Sequence, residues 1–215
     1  MPVPPAAPRS ARRVRLSPAE RIPAVLDVAL QEFAQQGFMA ARMEDIATRA
    51  GLSKGGLYAH FSSKEALFGE LLRRELSAPA MDVEAILDHA GTLPEVVDQL
   101  VALLGQYLLR PSSLTMLRLL LAEGHRVPEI TRQWSEQTID ATVAGVRALL
   151  ERCLAQGLCR DSVLCRNPQL VLSPFIHAMV QQLVPGQPGR TDVALLQSEL
   201  RALLLESLEP APGRT

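Results

Sequence analysis

MEDIATRAGLSKGGLYAHF, residues 43–61, reads as two short helices joined by a tight turn. Its key points are Ala47, Gly51 and Leu57. Where a second helix crosses the first, the first needs a small residue, and Ala47 is small. The turn needs a residue that tolerates positive φ, which Gly51 does without steric cost. Ile46, Leu52 and Leu57 are placed to close a small core between the two helices. Ser53 is placed to cap the second helix, leaving its first N–H groups aimed outward at an anion. Gly55 and Gly56 lack side chains, so that helix can approach a groove closely, with Lys54, Tyr58 and His60 around them as donors. An ordinary antiparallel helix hairpin is the competing reading of the same residues.

Working outward, every other segment also reads as helix and none as strand, which predicts an all-α fold. Residues 1–16, with Pro2, Pro4, Pro5 and Pro8 followed by Arg9, Arg12, Arg13 and Arg15, carry too little apolar surface to order themselves and read as a basic arm. Ser17-Pro18-Ala19-Glu20 has the form of a capping box opening a first helix, with Ile22, Val25, Ala29 and Phe33 on one face and Gly37 as its stop. A second box, Ser62 to Glu65, opens a helix to about Ser77, and a third, Thr92 to Glu95, one to about Arg110. Pro111 starts a helix through about Arg126, Pro128 a long one to about Ala155, ended by Gly157, and Asn167-Pro168 one that contains Pro174. The last helix is expected from about Thr191 to Leu208. The expected divisions are an arm at 1–16, a helix-turn-helix domain at 17–77 and a larger helical domain at 78–210.

Composition sets the class. Hydrophobic residues make up 47% of the 215 and aromatics only 4%, so a sizeable core filled mainly by aliphatic side chains is expected. No apolar run approaches the roughly 18 residues of a membrane span, and the Pro- and Arg-rich start lacks a secretory apolar stretch, which predicts a cytoplasmic chain with no membrane partner. Residues 1–77 carry 11 Lys and Arg against 8 Asp and Glu, whereas residues 78–215 carry 11 against 15. A mildly basic head on an acidic body suits a protein that meets phosphate at one end. Cys153, Cys159 and Cys165 form no CxxC pair, so buried or idle reduced thiols are expected rather than disulfides or a zinc site.

From Phe33 to Phe68, FAQQGFMAARMEDIATRAGLSKGGLYAHFSSKEALF resembles the DNA-binding head of TetR-type repressors. Gly37-Phe38, Asp45-Ile46-Ala47, Ala50-Gly51-Leu52-Ser53, Leu57-Tyr58, His60-Phe61 and Ser63-Lys64-Glu65-Ala66-Leu67 carry the resemblance, which covers about residues 18–75. It implies that Ser53 to His60 form a recognition helix in the major groove of operator DNA. Lys54 would then reach a phosphate or base edge, Tyr58 and His60 backbone phosphate, and Lys64 a further phosphate. Arg42 departs from the family, which often has Thr or Ser there as a cap; the change forfeits about 1 kcal/mol of capping but offers phosphate a cation.

Beyond the head the resemblance is to architecture, apart from LRLLLAEGHRVPEI, residues 117–130, which is similar to a segment in the bodies of some members. It implies a homodimer and a small-molecule effector bound in the body. For the dimer the candidates are the helices Pro128–Ala155 and Pro168–Val184, through Val143, Val146, Leu150, Cys153, Phe175 and Met179; packing within one subunit is the alternative. Met81, Tyr107, Met116, Leu120 and Trp134 are the candidates to line an effector cavity. Glu123 and His125 make a poor metal set without a third ligand, and an ion pair of Glu123 with Arg126 or Arg118 is preferred. The expected function is a ligand-responsive repressor that needs no cofactor, with an activator using the same head, or a helical protein-binding module, as alternatives. The four histidines are scattered and no nucleophile-base-acid set is visible, so no catalytic residue is proposed and an enzyme is disfavoured.

Overall fold

The computed structural model describes residues 18–77, 81–183 and 192–210. The basic arm, the Ser17 cap and the Pro185–Gly189 loop lie outside them. All regular elements among the described residues are helical, and none of these helices is long and apolar enough to cross a membrane.

The head is α1 (Pro18–Ala40), α2 (Met43–Arg49), α3 (Lys54–Tyr58) and α4 (Lys64–Leu76). Gly37 breaks α1 at φ 77, ψ 163, a backbone region essentially closed to residues with a Cβ. That break turns Phe38 back onto Phe33, their ring centroids 5.7 Å apart, and Phe68 of α4 packs 5.8 Å and 5.1 Å from the two. All three rings are buried. The box expected at Ser62 does not form. Ser63 caps α4 instead, accepting from the Ala66 N–H at 3.1 Å, which puts Glu65 one position too early to complete a box.

The body continues with α5 (Val83–His89), α6 (Leu93–Leu108) and α7 (Pro111–Glu123), a 3₁₀ turn at Gly124–Arg126, and α8 (Pro128–Trp134). A π-helical turn, Ser135–Ile139, joins α8 to α9 (Asp140–Ala155). After these come α10 (Val163–Arg166), α11 (Gln169–Leu183) and α12 (Val193–Leu208). Pro128 to Ala155 is thus the long rod that was expected, but widened at its middle. Gly157 follows it at φ 72. The Glu95 carboxylate accepts from the N–H groups of Thr92 and Gly91 at 3.0 and 2.9 Å, the backward half of the expected box. Asp192 caps α12 by accepting from the Ala194 and Leu195 N–H groups. α5 and α10 were not foreseen; each is too short to show a helical period.

Two apolar clusters fill the molecule. One is the head core, and it does not stop at residue 77: Met116 and Leu119 of α7, Val127, and Met179 of α11 belong to it. The other joins α5, α6, α9, α10, α11 and α12 around Leu104, Leu149 and Phe175. Leu108 and Leu109 pack against both, and α11 supplies buried residues to each. Head and body therefore share an interior across the expected domain boundary.

Candidate nucleic-acid interface

α2 and α3 cross as the sequence implied. Ala47 and Leu57 are both buried where the helices meet, with Ile46 beneath them. Gly51 makes the turn at φ 71, and the Leu52 N–H donates to the Ala47 carbonyl at 2.8 Å. Ser53 caps α3, its hydroxyl accepting from the Gly56 N–H at 3.0 Å. Arg49 then fixes α2 on α1: it pairs with the buried carboxylate of Glu32 and donates to the Gln31 side-chain oxygen at 3.1 Å.

With Leu57 turned inward, Lys54, Gly55 and Tyr58 share the outward face of α3, and all three are exposed. His60 follows in solvent, and Tyr58 keeps 42% of its surface exposed. Gly56 is half-buried over Ser53, so a Cβ there would come 3.2 Å from the Ser53 hydroxyl. The glycine next to the cap therefore serves the turn as well as any close approach. Arg42 stands at the start of α2 in extended conformation, exposed, with no side-chain cap.

Two cations are not idle. The Lys54 ammonium lies 2.6 Å from the Glu44 carboxylate. That hydrogen bond and charge hold Glu44 below the usual carboxylate range and raise Lys54 in turn. Lys64 donates to the carbonyls of Met39 and Ala41, each at 3.0 Å, and sits 4.8 Å over the Phe38 ring. It closes the C-terminal end of α1 against the start of α4. Sequence reasoning saw Lys64 only as a phosphate ligand and missed this structural task, because carbonyls left open after the Gly37 break leave no mark in the side-chain pattern.

The body holds a large apolar groove of about 660 Å³ between α7, the π turn, α9 and α11. Of the five residues expected to line an effector cavity, Trp134 alone lines this groove. Met116 is fully buried in the shared core. Leu120 packs against that core and faces a shallow depression beside His125. Met81 lies against α9, where a Cβ on Gly145 would come within 3.0 Å of it, and Tyr107 is stacked by the Arg110 guanidinium at 5.2 Å. The groove opens beside the π turn, whose Thr138 and Ile139 line it.

The expected dimer contacts are also redistributed. Val146, Leu150, Cys153 and Phe175 are buried within the subunit, and Val143 and Met179 border the groove. Exposed apolar residues on the two following helices are Leu170, Ile176 and Val180 of α11 and Val193, Leu195 and Leu203 of α12, with Ile139 and Leu154 exposed on the rod itself. Glu123 pairs with Arg126 at 2.9 Å, the arrangement preferred over a metal.

Two sequence families match in tandem: bacterial regulatory proteins of the tetR family over residues 25–71, and the C-terminal domain of AefR-like transcriptional repressors over residues 93–163. Together they account for more than half of the chain. The chain belongs to the TetR family. Among curated relatives of this TetR-family chain, the HTH-type transcriptional repressor KstR2 of Rhodococcus jostii (strain RHA1) is 38% identical over 78 residues, 32% of this chain and 38% of its own. RutR of Escherichia coli (strain K12), an HTH-type transcriptional regulator, is 42% identical over 73 residues, 34% of each chain. These matches span only about a third of the relatives' length. A TetR-family regulator from Mesorhizobium loti MAFF303099 superposes with TM-score 0.73 at 25% identity, covering 89% of this chain and 98% of that one. PfmR, a TetR-family regulator of Thermus thermophilus, gives 0.62 at 26% identity over 86% and 99%.

Proposed function

We propose that this TetR-family chain is a homodimeric transcriptional repressor that releases operator DNA when a small apolar molecule occupies the groove of the body. The observation that carries the DNA half is the set of exposed donors on α3, Lys54 and Tyr58 with His60 behind them, on a helix pinned from inside by Leu57. Arg42, Ser53, Gly55, Gly56 and Lys64 complete the proposed contact surface, Ser53 and Lys64 mainly by holding it in shape. A helix-turn-helix this small reads few base pairs, so two copies are needed, placed about 34–36 Å apart to meet successive turns of DNA. Leu170 of α11 with Val193, Leu195 and Leu203 of α12 are the proposed face between the copies.

Signalling has a route in the same side chains. Ser77, which ends α4, shares a 2.9 Å hydrogen bond between hydroxyls with Thr138 of the π turn. Thr138 lines the groove, and Trp134 borders both the groove and a cleft against α4 beside Gly69 and Arg73. A ligand that prefers one setting of α8 and the π turn therefore biases the helix leaving the head, by its difference in affinity for the two settings. An activator would use the same head; the repressor descriptions of KstR2 and of the AefR-like domain favour repression.

Selection from a random duplex library, followed by gel shifts over about 50–200 mM salt, tests this reading. Enrichment of a two-fold symmetric site, with affinity falling steeply with salt, is expected. A protein-binding module would enrich no duplex at any salt concentration, and the regulator reading would fall with that result.

A further inference from the structure

We infer that the groove is built for an uncharged ligand, a hydrocarbon chain or ring carrying no ionised group. The inference deepens the regulatory reading above but concerns binding alone. A volume of about 660 Å³ is ample for a small molecule. Leu117, Leu121, Trp134, Val143, Ile176 and Val180 make most of the walls. Among the described residues lining it there is no Lys, Arg, Asp or Glu, and His177 is the one titratable side chain. An ionised headgroup entering the groove would lose water without meeting a counter-charge.

The hydroxyl groups present are already engaged, whereas the buried Trp134 Nε1–H has no hydrogen-bond partner among the described residues. Thr142 donates to the Thr138 carbonyl at 2.8 Å, and Ser173 to the Gln169 carbonyl at 3.3 Å. The Thr138 hydroxyl is bound to Ser77. His177 is exposed at the lip, where the Gln181 amide donates to its Nε2 at 2.7 Å. No cluster of donors converges on the interior as a carboxylate or phosphate would need. Selection must then rest on the size and shape of an apolar body, with any hydroxyl or carbonyl placed at the His177 lip or against the unpartnered Trp134 Nε1–H.

Three probes with one chain length test this: 1-decanol, decanoate and decyltrimethylammonium. Trp134 is the sole tryptophan, so its fluorescence reports entry into the groove directly. Decanol is expected to bind, and both charged probes to bind at least about tenfold more weakly. Ser173→Arg places a cation on the wall and should shift preference toward decanoate by about tenfold. Equal or tighter wild-type binding of either ion, or no binding of decanol, overturns the inference. If Ser173→Arg does not fold, the wild-type series decides alone. Should decanol bind yet leave the DNA complex intact, the ligand class stands and the repressor-release reading falls.

Discussion

The ammonium of Lys54 rests 2.6 Å from the carboxylate of Glu44, tying the start of α3 to α2 across the Gly51 turn. Both side chains are mostly in solvent, so the pair adds little to stability, but it occupies the best cation on the outward face. DNA must compete with Glu44 for Lys54. Glu44→Gln should therefore tighten DNA binding several-fold at low salt and steepen its salt dependence by up to about one unit of slope. Gel shifts against salt measure both, and an unchanged slope would mean that Lys54 never reaches phosphate. Because the pair holds the Glu44 carboxyl below its ordinary value, its contribution persists at neutral pH and is lost only as pH falls through that lowered value.

Gly37 and Gly51 both have positive φ but differ in what surrounds them. A Cβ on Gly37 would meet the Glu123 carboxylate at 3.3 Å in a backbone region reserved for glycine, while one on Gly51 would meet nothing within 4 Å. Chemical denaturation should show Gly37→Ala losing about 2–3 kcal/mol and Gly51→Ala about 1 kcal/mol. The reverse order would contradict the assignment of Gly37 as the break that seats Phe38.

Thr138→Val keeps shape and removes the hydroxyl that holds Ser77, at a stability cost of about 1 kcal/mol. Hydrogen exchange over residues 70–77 should quicken, and DNA affinity should change in the same direction as in Ser77→Ala. The double variant is expected to do no more than either single one. Additive effects would remove this bond from the route between groove and head.

Leu195→Glu and Leu203→Glu place like charges on the exposed face of α12. Sedimentation should show a folded monomer, with DNA affinity reduced at least tenfold because the two heads no longer bind together. An intact dimer would move the interface elsewhere.

Cys153 and Cys159 are buried, and desolvation raises both thiols, Cys159 to about 12. A thiol reagent at pH 8 should modify Cys165, which is half-buried, well before the other two. The folded state favours the protonated thiol. Its contribution is therefore complete below the ordinary value of 9.0 and declines as pH rises toward 12. Melting temperature should fall across that window, and less steeply in Cys159→Ala.

The head was legible because its signals are local. Ala47, Gly51, Ser53 and Leu57 each act within a turn of their neighbours, so the spacing shows two short helices and the turn between them. Lys54 was recognised as a donor but not as Glu44's partner, since ten residues and a turn separate them. The body resisted for the opposite reason. Val146, Leu150 and Phe175 look the same in sequence whether they face their own subunit or another, and only the packing of α9 and α6 against α11 decides. The groove is lined from a π turn that leaves no periodic mark over Ser135–Ile139, so nothing in the sequence points to Thr138, Ile139 and Thr142.

The interior shared by α1, α4 and α7 limits how this molecule can be taken apart. Residues 18–77 cut free would present to water the surface that Met116, Leu119 and Met179 now cover. A chimaera that carries this head onto a foreign body must bring an equivalent of α7 with it. Specificity here is transplanted by exchanging the outward side chains of α3, not by exchanging the domain.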